Sequence, residues 1–241
     1  MNSDLRGSKI SETKTSETKT SATKTSVTKI GETVRACADS HAALIAGLAG
    51  LTDAQARQPS LLPDWSVGHV LTHIARNADG FSRMIEGARR GEIAAMYEHG
   101  IDGRRADIET GARRPVAELV ADVEAACTRL DALFGQCDTT TWAGHGLTLG
   151  GETPISELPE RRRGEVEIHR VDLGLGYTFA DWPADYRRAE LAKRTAQWAS
   201  RKPMGFTDLP APALALSPTD RLAWLLGRLE VEGLAPAGIT G

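Results

Sequence analysis

The stretch Glu165-Val-Glu-Ile-His169 lies in a segment with helical periodicity and places a carboxylate and an imidazole four residues apart. Residues i and i+4 lie one turn apart on the same face of a helix. Glu165 and His169 can therefore ligate one divalent ion together, and zinc accepts such mixed oxygen and nitrogen ligands. The stretch predicts a helix that carries half of a metal site.

A second stretch, His69-Val-Leu-Thr-His73, repeats this spacing upstream. It lies in an apolar helical pattern that starts after Ser66, a good N-cap residue. His73 falls near the apolar stripe of this helix and is the favoured ligand, whereas His69 falls at its edge and is expected to line the site. Two such helices predict a metal centre inside a helical bundle.

Taken singly, these residues have ordinary explanations. His69 and His73 could each lie at the edge of a core, and Glu165 could pair with the arginines at 161–163. The combination favours a metal, because unpaired imidazoles such as His73 and His169 are costly to bury in apolar faces. Zinc fits this ligand set best, while manganese and nickel remain open.

Four long amphipathic patterns divide most of the chain. They begin near Lys29, after Ser66, after Pro115 and at Pro154, and they predict a mainly α protein built on a four-helix bundle over 29–176. Residues 139–153 are polar and glycine-rich, which indicates a loop or a short hairpin.

Residues 177–241 are expected to form a small C-terminal domain that leans on the bundle. Asp181-Trp-Pro should initiate one helix, and Ser217-Pro-Thr-Asp should cap a last one that ends near Arg228. The segment 210–216 between them is interpreted as short and possibly extended.

The N-terminal residues 1–28 are predicted to be a disordered tail. Four pentads, SETKT, SETKT, SATKT and SVTKI, cover Ser11 to Ile30. A period of five fits neither helix nor strand, and the segment holds too little apolar surface to offset the entropy of ordering.

Composition excludes several classes of function. A net charge of −3 argues against a nucleic-acid partner, and an aromatic content of 5% argues against a base-stacking platform. No apolar run reaches membrane-spanning length. Cys37, Cys127 and Cys137 form no CxxC pair, so we expect reduced, mostly buried thiols in a cytoplasmic protein.

Three motifs resemble the mycothiol-dependent maleylpyruvate isomerase family of the DinB-like metal-binding bundles. They are Leu62-Pro-Asp-Trp-Ser-Val-Gly-His-Val-Leu-Thr-His73-Ile-Ala-Arg-Asn77, Arg163-Gly-Glu165-Val-Glu-Ile-His169-Arg-Val-Asp-Leu173 and Ala223-Trp-Leu-Leu-Gly-Arg228. The likeness spans most of residues 30–230.

The resemblance implies that His73, Glu165 and His169 are the metal ligands and that Arg228 reaches the site as a catalytic residue. It also implies a DinB-like four-helix bundle followed by a small α+β domain. The stretch between Trp198 and Trp224 is short, however, so the strands of that domain are expected to be reduced or missing.

The resemblance further implies cis–trans isomerisation of maleylpyruvate to fumarylpyruvate with a low-molecular-weight thiol, mycothiol or alternatively glutathione. Coordination to zinc would deprotonate the thiol, which adds to the alkene and is eliminated after rotation. Arg228 would pair with a substrate carboxylate or the enolate. Neither Cys127 nor Cys137 lies in a nucleophile context, so the thiol should come from outside.

Two alternatives remain open at this point. A thiol S-transferase of the same superfamily would conjugate electrophiles for detoxification and consume its thiol. A non-catalytic metal-binding bundle, such as a regulatory anti-sigma-type protein, would show no thiol-dependent turnover. In each case a monomer or weak dimer is expected.

Overall fold

The computed structural model describes residues 28–201 and 207–238. The predicted tail, apart from residue 28, lies outside the described residues. The described chain forms two compact units. One comprises residues 28–49, Ala75–Asp107 and Val120–Arg163, and the other comprises Gly50–Ile74, Ile108–Leu119 and the residues from Gly164 onward.

Helices dominate the described residues. In chain order the elements are α1 (28–47), α2 (Asp53–Ala56), α3 (Val67–Arg89), α4 (Gly100–Gly111), α5 (Val116–Gly135), α6 (Thr139–Trp142), β1 (His145–Thr148), β2 (Gly151–Pro154), α7 (Leu158–Asp172), α8 (Ala184–Ala199), α9 (Ala211–Ala215) and α10 (Pro218–Leu225).

Four long helices confirm the predicted fold class. Within the first unit, α1, the later part of α3 and α5 each bury one apolar stripe whose members recur every three to four residues, and the start of α7 buries Leu158. The buried side chains include Leu44, Leu48, Ala78, Phe81, Ile85, Val123, Leu130 and Leu158.

The segment interpreted as a loop or hairpin is an antiparallel hairpin preceded by the short helix α6. Strand β1 pairs with β2 in a register that places Thr148 opposite Gly151, whose φ of 116° suits glycine at the tight turn. Ala95 adds a parallel bridge to Leu147 in β1. The described strands therefore lie between α6 and α7.

In the second unit, α8 and α10 share an apolar core. Trp182 lies edge-on to Tyr186, with ring centroids 5.9 Å apart. The segment 210–216 differs from its interpretation as possibly extended, because Ala211–Ala215 is helical. Its prolines explain the difference, since proline fits the first turn of a helix.

The C-terminal residues 177–201 and 207–238 are mainly helical. Beyond α8, α9 and α10, the described β pairing there is a single bridge between Val231 and Leu234. Among the described residues of this region, the β structure of the expected C-terminal α+β domain is limited to that bridge. None of the described helices is both long enough and apolar enough to cross a membrane.

Candidate metal centre

The three predicted ligands converge within the second unit. His73 extends from α3, and Glu165 and His169 extend from one turn of α7. His73 Nε2 lies 2.9 Å from His169 Nε2 and 3.3 Å from Glu165 Oε2. His169 Nε2 lies 3.7 Å from the same carboxylate oxygen. Three ligand atoms thus face one point, as the i, i+4 spacing and the second helix predict.

The three candidate ligands differ in how far they are exposed to solvent. The His73 side chain is 5% exposed, whereas those of His169 and Glu165 are 13% and 30% exposed. Trp65 packs edge-on against His73, with ring centroids 5.7 Å apart. Approach from solvent is therefore open on the side of Glu165.

Asp172 determines which nitrogen of His169 faces the ligand cluster. His169 Nδ1 lies 2.8 Å from Asp172 Oδ2, and the carboxylate also accepts hydrogen bonds from Arg228. An ionised carboxylate only accepts, so His169 must donate through Nδ1. Its neutral form then presents the Nε2 lone pair to the cluster, as a metal-binding imidazole does.

The charges around the cluster also fit a cation. Burial would raise the pKa of Glu165, but hydrogen bonds from His169 and His73 outweigh it and hold this pKa well below 4.5. Burial would lower the pKa of His169, but Asp172 and Glu165 raise it above 6.5. A cation would replace the proton shared by these groups. The donor set of two imidazoles and one carboxylate fits zinc with a free coordination position.

His69 lies outside the ligand set. Its Nδ1 is 2.7 Å from Ser66 Oγ, and its Nε2 is 3.5 Å from Glu109 Oε2. Trp65 stacks on the His69 ring with centroids 6.2 Å apart. Because Trp65 also contacts His73, His69 lines the surroundings of the cluster, as its place at the edge of the apolar stripe predicts.

Glu167, the other carboxylate of the quoted stretch, is buried in a different set of contacts. It accepts a hydrogen bond from Tyr177 Oη at 2.5 Å, and its backbone carbonyl accepts from Trp182 Nε1 at 3.0 Å. Two of the neighbouring arginines, Arg161 and Arg162, have contacts with residues other than Glu165. Arg161 pairs with Glu157, and Arg162 binds His41, Asn77 and Cys127.

Arg228 lies beside the cluster but is directed at Asp172. Its Nε and Nη2 lie 3.0 and 2.8 Å from the two oxygens of that carboxylate. Its Nη1 donates to the Leu226 carbonyl at 2.6 Å. Sequence reasoning placed Arg228 at the site and missed Asp172, although the spacing His169-x-x-Asp172 puts both on one turn of α7.

A second group of possible ligands lies in the first unit. Cys37, His41 and Asp131 bring their side-chain ligand atoms within 4.8 Å of one another. His41 Nδ1 lies 2.8 Å from Asp131, and its Nε2 accepts a 2.9 Å hydrogen bond from Arg162 Nε. A buried guanidinium in direct contact with the imidazole repels a cation, so this group is a hydrogen-bonded core network.

Comparisons with known proteins identify a family and a similar fold. The family model of the mycothiol maleylpyruvate isomerase N-terminal domain matches residues 37–174. The crystal structure of the mycothiol-dependent maleylpyruvate isomerase matches with a TM-score of 0.73 and 25% identity, covering 83% of this chain and 89% of that one. A single-residue mutant of that isomerase matches with the same values. A comparison with curated proteins finds no match.

Proposed function

Because the chain belongs to the mycothiol-dependent maleylpyruvate isomerase family, we propose that it is a thiol-dependent cis–trans isomerase that converts maleylpyruvate to fumarylpyruvate. The observation that carries the proposal is the convergence of His73, Glu165 and His169 on one point. The similar isomerase structure, which aligns with 83% of this chain, supports the same reaction.

His73, Glu165 and His169 would hold a divalent ion, for which zinc is our proposal. Such an ion supplies the positive charge that keeps a thiol deprotonated at neutral pH. Asp172 holds His169 in the tautomer that ligates, and Trp65 covers the side of His73. In this proposal the thiol and the substrate approach from the side of Glu165, whose side chain is 30% exposed.

The thiol in this proposal comes from a small molecule. Rotation about a carbon–carbon double bond requires a transient single bond, which reversible thiol addition provides. Cys37 and Cys127 are buried in the hydrogen-bonded network of the first unit. The thiol of Cys137 donates to the Leu133 carbonyl at 3.3 Å. Mycothiol is the cofactor we propose, because the family and the similar structure both carry its name.

The test is a turnover assay of maleylpyruvate with mycothiol, with glutathione and without thiol, combined with elemental analysis. We expect mycothiol-dependent formation of fumarylpyruvate and one zinc ion per chain. His169→Ala should lose the metal and lower kcat/KM at least about a hundredfold. Cys137→Ser, the matched control, should keep both.

Thiol accounting distinguishes the alternatives. An isomerase regenerates its thiol, so the thiol concentration should stay constant while product accumulates. Consumption of one thiol per product would assign the chain to S-conjugation instead. Metal binding without thiol-dependent turnover would indicate a non-catalytic metal-binding protein. Full activity of metal-free His169→Ala would contradict the proposed mechanism.

A further inference from the structure

We infer that Asp172 and Arg228 form a positioning pair, through which the C-terminal Gly-Arg turn sets the metal affinity of His169. Arg228 would thus act on the ligand cluster through a carboxylate, whereas its proposed role from the sequence is direct contact with substrate. This inference rests on the proposed metal site and is independent of the identity of thiol and substrate.

Hydrogen bonds from His169 and Arg228 hold the carboxylate of Asp172 in place. Its side chain is 1% exposed, and its Oδ2 is shared by His169 Nδ1 and Arg228 Nη2, each at 2.8 Å. Its Oδ1 accepts from Arg228 Nε at 3.0 Å. Two parallel bonds from a planar guanidinium fix both the position and the plane of a carboxylate. Loss of Arg228 would leave this buried charge free to turn away from His169.

The chain holds Arg228 in turn. Gly227, which follows the C-cap residue Leu226 of α10, has a φ of 70°, a left-handed conformation that ends helices and suits glycine. The Arg228 amide then returns to the Ala223 carbonyl at 2.8 Å, and its Nη1 binds the Leu226 carbonyl. Because Leu225 and Leu226 are buried, the guanidinium is carried by a packed turn. This explains physically why glycine and arginine are adjacent in the C-terminal motif.

Asp172 has a third link, through its backbone. Its carbonyl accepts a 2.8 Å hydrogen bond from the Leu61 amide. Leu61 belongs to the loop that leads to Trp65, the residue packed against His73. Asp172 therefore contacts His169, the turn that carries Arg228 and the loop whose Trp65 packs against His73.

The consequence falls on the metal affinity. A carboxylate that accepts from the outer nitrogen of a ligating histidine fixes the ring and makes the inner nitrogen more basic, and its loss weakens binding by about 10- to 100-fold. Arg228, which holds that carboxylate, should then change the affinity although it is directed away from the metal point. A residue that contacted only the substrate would leave the metal affinity unchanged.

A double-mutant cycle on metal affinity tests the inference, with Asp172→Asn, Arg228→Met and the double variant. Co²⁺ is the probe, because its absorption reports both affinity and ligand geometry. Each single variant should bind Co²⁺ about 10- to 100-fold more weakly with an altered spectrum. The double variant should bind no more weakly than the worse single variant, because both changes break one chain of contacts.

Two further variants separate positioning from general loss of stability. Arg194 is another ion-paired arginine of the second unit; it is buried and pairs with Glu190 at 2.6 Å within α8. Arg194→Met should destabilise the fold and leave the Co²⁺ spectrum unchanged. Arg228→Lys, which keeps the charge but not the two-pronged geometry, should recover only part of the affinity and keeps the test available if Arg228→Met does not fold.

The inference is overturned if Arg228→Met raises KM but leaves Co²⁺ affinity and spectrum as in the parent protein. Additive losses in the double variant would overturn it too, since the two residues would then act separately. Altered Co²⁺ binding in a protein that isomerises nothing would uphold the inference and refute the proposed function. A parent protein that binds no Co²⁺ would refute the metal site and the inference together.

Discussion

Cys137 illustrates how one side chain is controlled by its local surroundings. Burial raises the pKa of its thiol from 9.0 to about 11, with Arg89 opposing this shift and Asp138 adding to it. The pKa change of about 2 lowers the thiolate fraction roughly a hundredfold at pH 8.5. Because a thiolate of higher pKa is also more nucleophilic, we expect iodoacetamide to alkylate Cys137 about 10- to 100-fold more slowly at this pH than an ordinary thiol.

Mass spectrometry of the alkylated protein between pH 8 and pH 10 measures this rate. The alkylation rate should still rise by about tenfold per pH unit near pH 10, because this pH lies below the raised pKa of Cys137. A rate that levels off near pH 9 would contradict the prediction. Cys137→Ser removes the reactive site and identifies any background from Cys37 and Cys127, which are buried.

The convergence of the three candidate ligands could be predicted from the sequence, and the contacts of Asp172 that support them could not. His73, Glu165 and His169 follow from a spacing of four residues and from matching motifs. Asp172 has the same local signal relative to His169, but its pairing with Arg228 spans 56 residues. Helical periodicity does not say which distant side chain meets a given one, so long-range pairs of this kind need the fold.

At the level of single elements, the length and regularity of the apolar pattern decide what the sequence predicts. The four long helices have stripes that persist for several turns. Helix α4 has no such stripe. Ile108 is its one buried residue, and three of its positions are glycine, Gly100, Gly103 and Gly111. The four helical patterns predicted from the sequence do not include α4, because tertiary packing can hold a helix that its own pattern barely predicts.

Helix α7 carries two adjacent arginines with opposite roles. Arg162 is fully buried, and its guanidinium donates to His41 Nε2, Asn77 Oδ1 and Cys127 Sγ, which belong to α1, α3 and α5. Arg161 is 42% exposed and pairs with Glu157 on its own face. One side chain joins four helices, and its neighbour lies on the surface.

Arg162→Met should therefore lower the free energy of unfolding by about 3–5 kcal/mol, because it leaves several buried acceptors unpaired. Arg161→Met, the matched control one residue away, should cost less than about 1 kcal/mol, as exposed pairs do. Urea unfolding of both variants measures the difference. Similar losses in the two would show that the network of Arg162 adds no more stability than a surface pair.

For the molecule as a whole, the described residues contain two groups that could bind a metal ion. One is His73 with Glu165 and His169, and the other is Cys37 with His41 and Asp131. In the first, His169 donates through Nδ1 to Asp172, so that its neutral form presents the Nε2 lone pair to the other ligands. In the second, Arg162 contacts the imidazole and has the wrong charge. A metal should therefore stabilise the protein through the first group alone.

Thermal unfolding with and without zinc tests this assignment on the complete chain. Free zinc at about 100 times its dissociation constant should stabilise the folded state by about 2.7 kcal/mol and raise Tm by roughly 5–10 °C, and a chelator should reverse the shift. The shift should vanish in His169→Ala and persist in Cys37→Ala, since only the former removes a ligand. The opposite pattern would place the metal in the network of the first unit and refute the proposed centre. A metal stabilises the folded state only through the site that binds it, so removing a ligand of that site abolishes the shift in Tm.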